Sequence, residues 1–184
     1  MKTTEVLMAG FGGQGMLLAG KLLAYAAMND GKEVSWLPSY GPEMRGGTAN
    51  VTVCLSERPV GSPYITQPTA LLVMNQPSLE KFGPKVRSGG LIVINTTLVP
   101  IKTDRDDCAV LYIDAGGLAK KAGTIRASNL VMLGAYVAWS GIVDKDVTID
   151  KIKKEFAKKA KFIPANVAAF EAGYDEGFKL RGDG

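Results

Sequence analysis

A short apolar run, Glu5-Val6-Leu7-Met8-Ala9, passes into Gly10-Phe11-Gly12-Gly13-Gln14-Gly15 and then into a long helical segment, Met16 to Met28. Few local patterns restrict a fold more. A continuous apolar run suits a strand buried on both faces of a parallel sheet. Glycines between a strand and a helix let backbone N–H groups crowd together, and the positive end of the helix dipole then favours an anion at the loop. In the helical segment Leu18, Leu22 and Tyr25 share a face and Lys21 is the sole charge. So bare a helix is expected to be covered by the sheet and by a further layer.

The rest of the chain continues the alternation. Asn29-Asp30-Gly31 closes the helix as a C-cap turn, Glu33 to Leu37 reads as a second strand, and Pro38 to Gly47 is a loop by composition. Thr48 to Leu55 alternates with period two and is the candidate for an antiparallel strand. A turn-rich stretch, Ser56 to Pro68, leads to buried strands at Ala70–Met74, Leu91–Asn95 and Ala109–Ile113, with a short helix around Ser78–Val86. Asp114-Ala115-Gly116-Gly117 opens another short helix. Three helical segments follow: apolar Asn129–Ser140, basic Thr148–Ala160, and Pro164–Leu180 with proline in its first turn. The expected fold is α/β, a Rossmann-like three-layer domain with a mostly parallel sheet and a helical C-terminal tail. No repeat, linker or low-complexity tract divides residues 1–184, so one domain is expected.

Gly10-x-Gly12-x-x-Gly15 satisfies half of the dinucleotide fingerprint. The other half is an acidic residue at the end of the second strand, to hold the ribose hydroxyls. Here that strand ends Ser35-Trp36-Leu37-Pro38, Glu33 lies at its beginning, and no Arg suited to a 2′-phosphate appears before Arg45. An anion site for something other than NAD is the better reading, against the plainer one that the glycines only permit tight helix–strand packing.

The 184 residues contain no histidine, which removes His triads, His zinc sites and imidazole general bases together. The two cysteines, Cys54 and Cys108, are far apart, too few to hold an iron–sulfur cluster alone, and read as small buried thiols. The net charge of +4 is concentrated where Lys145, Lys151, Lys153, Lys154, Lys158, Lys159 and Lys161 crowd together, which reads as a solvated helix face. No aromatic residues alternate with these lysines as stacking platforms, so nucleic acid is not an expected partner. The longest apolar run, Leu130–Trp139, is too short to span a bilayer, and no secretory leader precedes the first strand. A cytoplasmic protein that does not engage a membrane is expected.

Tyr40-Gly41-Pro42-Glu43-Met44-Arg45-Gly46-Gly47 places an aromatic, a carboxylate and a guanidinium within six residues, between glycines that permit close backbone approach. If the sheet is parallel, this loop and the glycine loop leave it at the same edge, where ligands bind in such folds. Together with Asn50 on the next strand and Asn129-Leu130-Val131-Met132-Leu133-Gly134 opening a late helix, these segments resemble the gamma subunit, or fused gamma domain, of 2-oxoacid:ferredoxin oxidoreductases. The likeness spans essentially the whole chain.

That resemblance implies a reaction in which a 2-oxoacid, coenzyme A and oxidised ferredoxin give acyl-CoA, carbon dioxide and reduced ferredoxin. It implies alpha- and beta-type partner chains, with a delta-type chain in some members, and ferredoxin or flavodoxin as the acceptor. Thiamine diphosphate, magnesium and iron–sulfur clusters would reside in those partners, with no cofactor bound by this chain alone. Coenzyme A is the co-substrate, and 2-oxoglutarate is the favoured oxoacid, ahead of pyruvate or a branched-chain oxoacid. The sequence agrees in what it lacks: within residues 1–184 there is no cysteine cluster and no Gly-Asp-Gly followed by an Asn-Asn pair, the usual thiamine diphosphate motif. By resemblance, Gly10, Gly12, Gly13, Gln14 and Gly15 would receive coenzyme A or another anion. Tyr40, Glu43, Arg45, Gly46, Gly47, Asn50 and Asn129 would form the active-site rim or a subunit interface, with no catalytic residue and no metal ligand. Glu43 and Arg45 either order the loop at the subunit boundary, or Arg45 meets a carboxylate or phosphate through paired hydrogen bonds. Three alternatives stand beside this reading: a stand-alone nucleotide-dependent oxidoreductase, a regulatory nucleotide-binding module, and the smaller subunit of an indolepyruvate-type enzyme.

Overall fold

The computed structural model describes residues 3–40 and 47–182. Six strands form one sheet: β1 (Thr4–Phe11), β2 (Glu33–Tyr40), β3 (Thr48–Ser56), β4 (Ala70–Val73), β5 (Leu91–Asn95) and β6 (Ala109–Ile113), in the order β2-β3-β1-β4-β5-β6. The strands β1, β4, β5 and β6 pair in parallel, while β3 runs antiparallel to both β1 and β2. The expected antiparallel strand is therefore present, and its cause is the connection. The segment between Tyr40 and Thr48 is far shorter than the dozen or so residues a parallel crossover needs.

The second strand runs three residues further than composition indicates, through Pro38 to Tyr40. It lies at the sheet edge, bonded to β3 alone, and a proline lacking its N–H is tolerated there.

Among the described residues six α-helices accompany the sheet: α1 (Met16–Asn29), α2 (Gln76–Phe82), α3 (Ala115–Lys121), α4 (Ser128–Ser140), α5 (Lys145–Glu155) and α6 (Ile163–Gly182). One sheet face carries Val6, Met8, Leu72 and Val93 against residues of α1, α3, α4, α5 and α6. The other carries Leu7, Leu71, Val73, Ile92 and Ile94 against Leu79 of α2 and Val86 beyond it. Buried side chains on both faces explain why the central strands read as unbroken apolar runs. As its sequence indicates, α1 is covered on two sides, by the sheet and by α4 and α5.

Helix α4 is apolar all round because it is enclosed, with every residue from Ser128 to Ala138 buried. Its partner is α6. A Cβ on Gly134 would lie 2.1 Å from the Phe170 carbonyl oxygen, and one on Gly173 would lie 2.0 Å from that of Val131. The successive meetings of Val131 with Gly173, Ala135 with Gly177 and Ala138 with Arg181 make the helices run in the same direction. The basic segment is a shorter helix than its pattern indicates: α5 ends at Glu155, and residues Ala157–Phe162 form a 3-10 turn kinked at Lys159. Cys54 is buried, whereas Cys108 is only half-buried, and both are free thiols. Among the described residues no helix is long and apolar enough to cross a membrane.

Candidate functional site

The chain leaves β1 through α1 toward β2 on one side, and leaves β4 through α2 toward β5 on the other. The strands β1 and β4 are parallel neighbours. Their carboxyl ends therefore flank a topological switch point, the crevice where ligands enter open α/β sheets. The glycine loop forms one lip and Met74-Asn75 the other.

Each glycine of the loop has its own reason. Gly13 (φ 95°) and Gly15 (φ 78°) have left-handed backbone, which side chains disfavour. A Cβ on Gly10 would lie 2.4 Å from Gln14 Oε1 and 3.0 Å from Met74 Cβ. That space is used because the Gln14 side chain folds back over the loop. Gln14 Oε1 accepts from the Phe11 N–H at 2.6 Å, and Gln14 Nε2 donates to the Met74 carbonyl at 3.1 Å. Gln14 thus bridges the crevice from inside, so its amide serves the scaffold.

Two further bonds fix the loop. The Gly12 N–H donates to the Gly47 carbonyl at 2.9 Å, joining the glycine loop to the start of β3. Asn129 Nδ2 donates to the Gly15 carbonyl at 2.9 Å, fastening the amino end of α4 to that of α1. Gly15 caps α1 without a side chain, and no acidic residue stands in the first turn. The N–H groups of Gly15, Met16, Leu17 and Leu18 consequently have no hydrogen-bond partner among the described residues. This is the positive end of a helix of 14 residues, with nothing described to neutralise it.

Of the expected site residues, the structure brings together Gly10, Gly12, Gly13, Gln14, Gly15, Gly47 and Asn129. Tyr40 ends β2 at the same edge, 68% exposed. Asn50 lies on the sheet face opposite α1, lining a groove of about 570 Å³ with Leu7, Thr52 and Phe82. Glu43, Arg45 and Gly46 lie outside the described residues.

Sequence reading passed over two buried amides at this edge. Asn75 follows β4 and caps α2, its Oδ1 accepting from the Ser78 N–H at 2.8 Å. Asn95 ends β5 fully buried, its Nδ2 directed to Met74 Sδ at 3.4 Å and its Oδ1 accepting from the Thr97 N–H. The signal for Asn75 was available, because Asn75-Gln76-Pro77 after a buried strand is a helix-start pattern. Farther along the edge, Asp114 accepts from the Thr97 hydroxyl at 2.6 Å and the Gly117 N–H at 3.0 Å. These bonds, the Thr97 hydroxyl first, hold its carboxyl below the usual aspartate range. The carboxyl ends of β5 and β6 are thus occupied by their own side chains, and the N–H groups without a described partner lie beyond β1.

Comparison with known proteins agrees with this architecture. Residues 5–176 match the family described as pyruvate ferredoxin/flavodoxin oxidoreductase. The chain is 40% identical over 176 residues to the ketoisovalerate oxidoreductase subunit VorA of Methanothermobacter marburgensis, covering 95% of this chain and 36% of that relative. It therefore spans about a third of that longer protein. It is 32% identical to the 2-oxoglutarate synthase subunit KorC of Methanocaldococcus jannaschii, covering 93% of this chain and 92% of the relative. Among solved structures, the gamma subunit of keto/oxoacid ferredoxin oxidoreductase from Geobacter sulfurreducens superimposes with a TM-score of 0.82 at 30% identity, over 96% of this chain and 99% of that one. The chain belongs to the pyruvate ferredoxin/flavodoxin oxidoreductase family.

Proposed function

We propose that this chain is the gamma-type subunit of a 2-oxoacid:ferredoxin oxidoreductase, and that its task is to receive coenzyme A at the β1–β4 crevice and help close the active site. The observation that carries this reading is the amino end of α1, which among the described residues has no side-chain cap. Its N–H groups, unpaired among the described residues and set at the end of a glycine loop beside the switch point, suit a phosphate oxygen. The glycine loop, fixed by Asn129 and Gly47, would hold those donors in place before the ligand arrives, so little ordering remains to be done on binding.

The chain supplies binding and orientation rather than bond-making. With no histidine and no cysteine cluster, the oxidative decarboxylation falls to thiamine diphosphate with magnesium, and to iron–sulfur clusters, held by alpha-, beta- or delta-type partners. Ferredoxin or flavodoxin would take the electrons from the complex. The segment from Tyr40 to Gly47 would form the rim of the chamber or the partner contact, a reading supported at its last residue by the bond from the Gly12 N–H to the Gly47 carbonyl.

An NAD-dependent reading finds less support. The strand beside β1 on that side is β3, which begins at this edge, and β2 is one strand farther out. The ribose-binding acid of a dinucleotide site therefore has no strand end to stand on, and β2 itself ends in Ser39 and Tyr40. For the oxoacid, 40% identity to a ketoisovalerate subunit, against 32% to a 2-oxoglutarate subunit, favours a branched-chain substrate over the 2-oxoglutarate expected from sequence.

The test uses the complex reconstituted with its partner chains. It should reduce viologen with one member of an oxoacid panel, in a coenzyme A-dependent way, whereas this chain alone should not. Gly12→Val should raise the KM for coenzyme A. Turnover by the chain alone, or a complex whose coenzyme A dependence ignores Gly12→Val, would remove the reading.

A further inference from the structure

One donor at the crevice is left over. Asn75 is 3% exposed and lies two residues beyond the end of β4, at the cap of α2. Its Oδ1 accepts from the Ser78 N–H, and since only the oxygen of an amide can accept an N–H, this bond fixes which way the group faces. Nδ2 is then a buried donor without a hydrogen-bond partner among the described residues. Leaving such a donor unpaired is costly. Capping α2 does not require it, because aspartate or serine caps a helix as well as asparagine does and brings no spare N–H.

The neighbours of Asn75 set it beside the crevice. The preceding residue, Met74, donates its N–H to the Ala9 carbonyl at 2.9 Å, lies beside Gly10, and accepts Gln14 Nε2 through its own carbonyl. Asn75 is therefore the next residue along the chain beyond the crevice on the β4 side, across from the amino end of α1.

We propose that Asn75 is a specificity-determining residue of this crevice, its Nδ2 donating to an anionic oxygen of the ligand that the glycine loop receives. The proposal rests on the reading that the crevice takes coenzyme A. The glycine-loop amides bind negative charge wherever it is presented, whereas a side-chain donor on the opposite lip sets a second point and so selects orientation. Because Nδ2 is closed off from solvent, ligand entry includes a rearrangement. The bond nearest to it along the chain is that from Gln14 Nε2 to the Met74 carbonyl.

The experiment compares Asn75→Ser and Asn75→Asp in the reconstituted complex, with coenzyme A as the probe. Both substitutions keep an acceptor for the Ser78 N–H, so assembly and melting temperature should match the parent. Removing the donor should raise the KM for coenzyme A about tenfold in the serine variant. The aspartate variant should raise it further, since a carboxylate then faces an anion, and the KM for the oxoacid should stay unchanged in both. If the serine variant melts early, the aspartate variant carries the test. A normally assembled complex with parental coenzyme A kinetics would overturn the proposal, the donor then being met by an internal water. Gly12→Val separates the two readings. A raised coenzyme A KM there, with none in either Asn75 variant, removes the role of Asn75 and leaves the crevice. No effect in any of the three removes both.

Discussion

Asn129 donates its side-chain amide to the carbonyl of Gly15 at 2.9 Å, although the two residues are 114 positions apart. Gly15 is left-handed and caps α1, and Asn129 lies in the first turn of α4, so one bond fastens the amino ends of these two helices. The contact is tight, since a Cβ on Gly15 would lie 2.6 Å from Asn129 Nδ2.

Asn129→Ala should lower stability by about 1–3 kcal/mol, the range for a lost hydrogen bond in a buried setting, and weaken coenzyme A binding by letting the loop move. Gly15→Ala should cost a further 1–2 kcal/mol or so through its left-handed backbone alone. Chemical denaturation of both single variants and the double variant checks this. The double variant should be more stable than the sum of the single losses, because removing the Asn129 side chain also removes the clash with the new methyl group.

The α4–α6 crossing gives a sharper stability prediction. A methyl group on Gly134 or Gly173 would meet backbone oxygen at 2.1 Å or 2.0 Å, so the helices must separate to accept it. Gly173→Ala should destabilise the chain by roughly 1–3 kcal/mol, the usual cost of overpacking, although alanine is the better helix former. Gly182→Ala, in the same helix and in open space, should be neutral or mildly stabilising. Equal melting temperatures for the two variants would show that α6 is free to shift outward.

Arg105 donates to the carbonyls of Gly83 and Val86, both at 2.7 Å, and to Asp107 at 2.6 Å. The guanidinium pushes the Asp107 carboxyl down from 3.8 to about 2. Because the folded value lies below the unfolded one, the stabilisation is complete above about pH 4 and fades as pH falls through about 2. Asp107→Asn should lack this acid-side dependence. The difference in melting temperature between parent and variant should therefore shrink on acidification across that window. A difference constant from pH 5 to pH 2 would show that the carboxylate contributes nothing through its charge.

Arg45 lies outside the described residues, and its expected role comes from sequence and from the place of its neighbour Gly47. An exposed ion pair is worth about 0–1 kcal/mol, whereas removing one partner of a buried pair costs roughly 3–5 kcal/mol. Arg45→Ala should leave the melting temperature of the isolated chain nearly unchanged, and either prevent assembly or sharply lower turnover of the complex. Lost assembly marks an interface anchor, and intact assembly with poor coenzyme A use marks a ligand contact. Parental assembly, turnover and coenzyme A dependence would show that Arg45 is an ordinary solvated turn residue.

The amino-acid sequence by itself determined the local elements. The runs around Val6–Ala9, Leu71–Val73 and Ile92–Ile94 are apolar at consecutive positions, and period and composition are properties of neighbours along a chain. The strand–glycine loop–helix order, the alternation of β3 and the apolar face of α1 were legible for the same reason. The tertiary structure decided what depends on distant residues. Pro38 belongs to a strand because β2 is at an edge, which only the strand order fixes. Gln14 turns inward because Met74, 60 positions away, offers a carbonyl there. Asn50 and Asn129, both expected at the rim, part company. The pleat sends Asn50 to the far face of the sheet, while α4 brings Asn129 to Gly15. Asn75 reads in sequence as a cap and nothing more. Its spare donor exists only because β4 has placed the residue where water does not reach, and burial is settled by the whole chain at once.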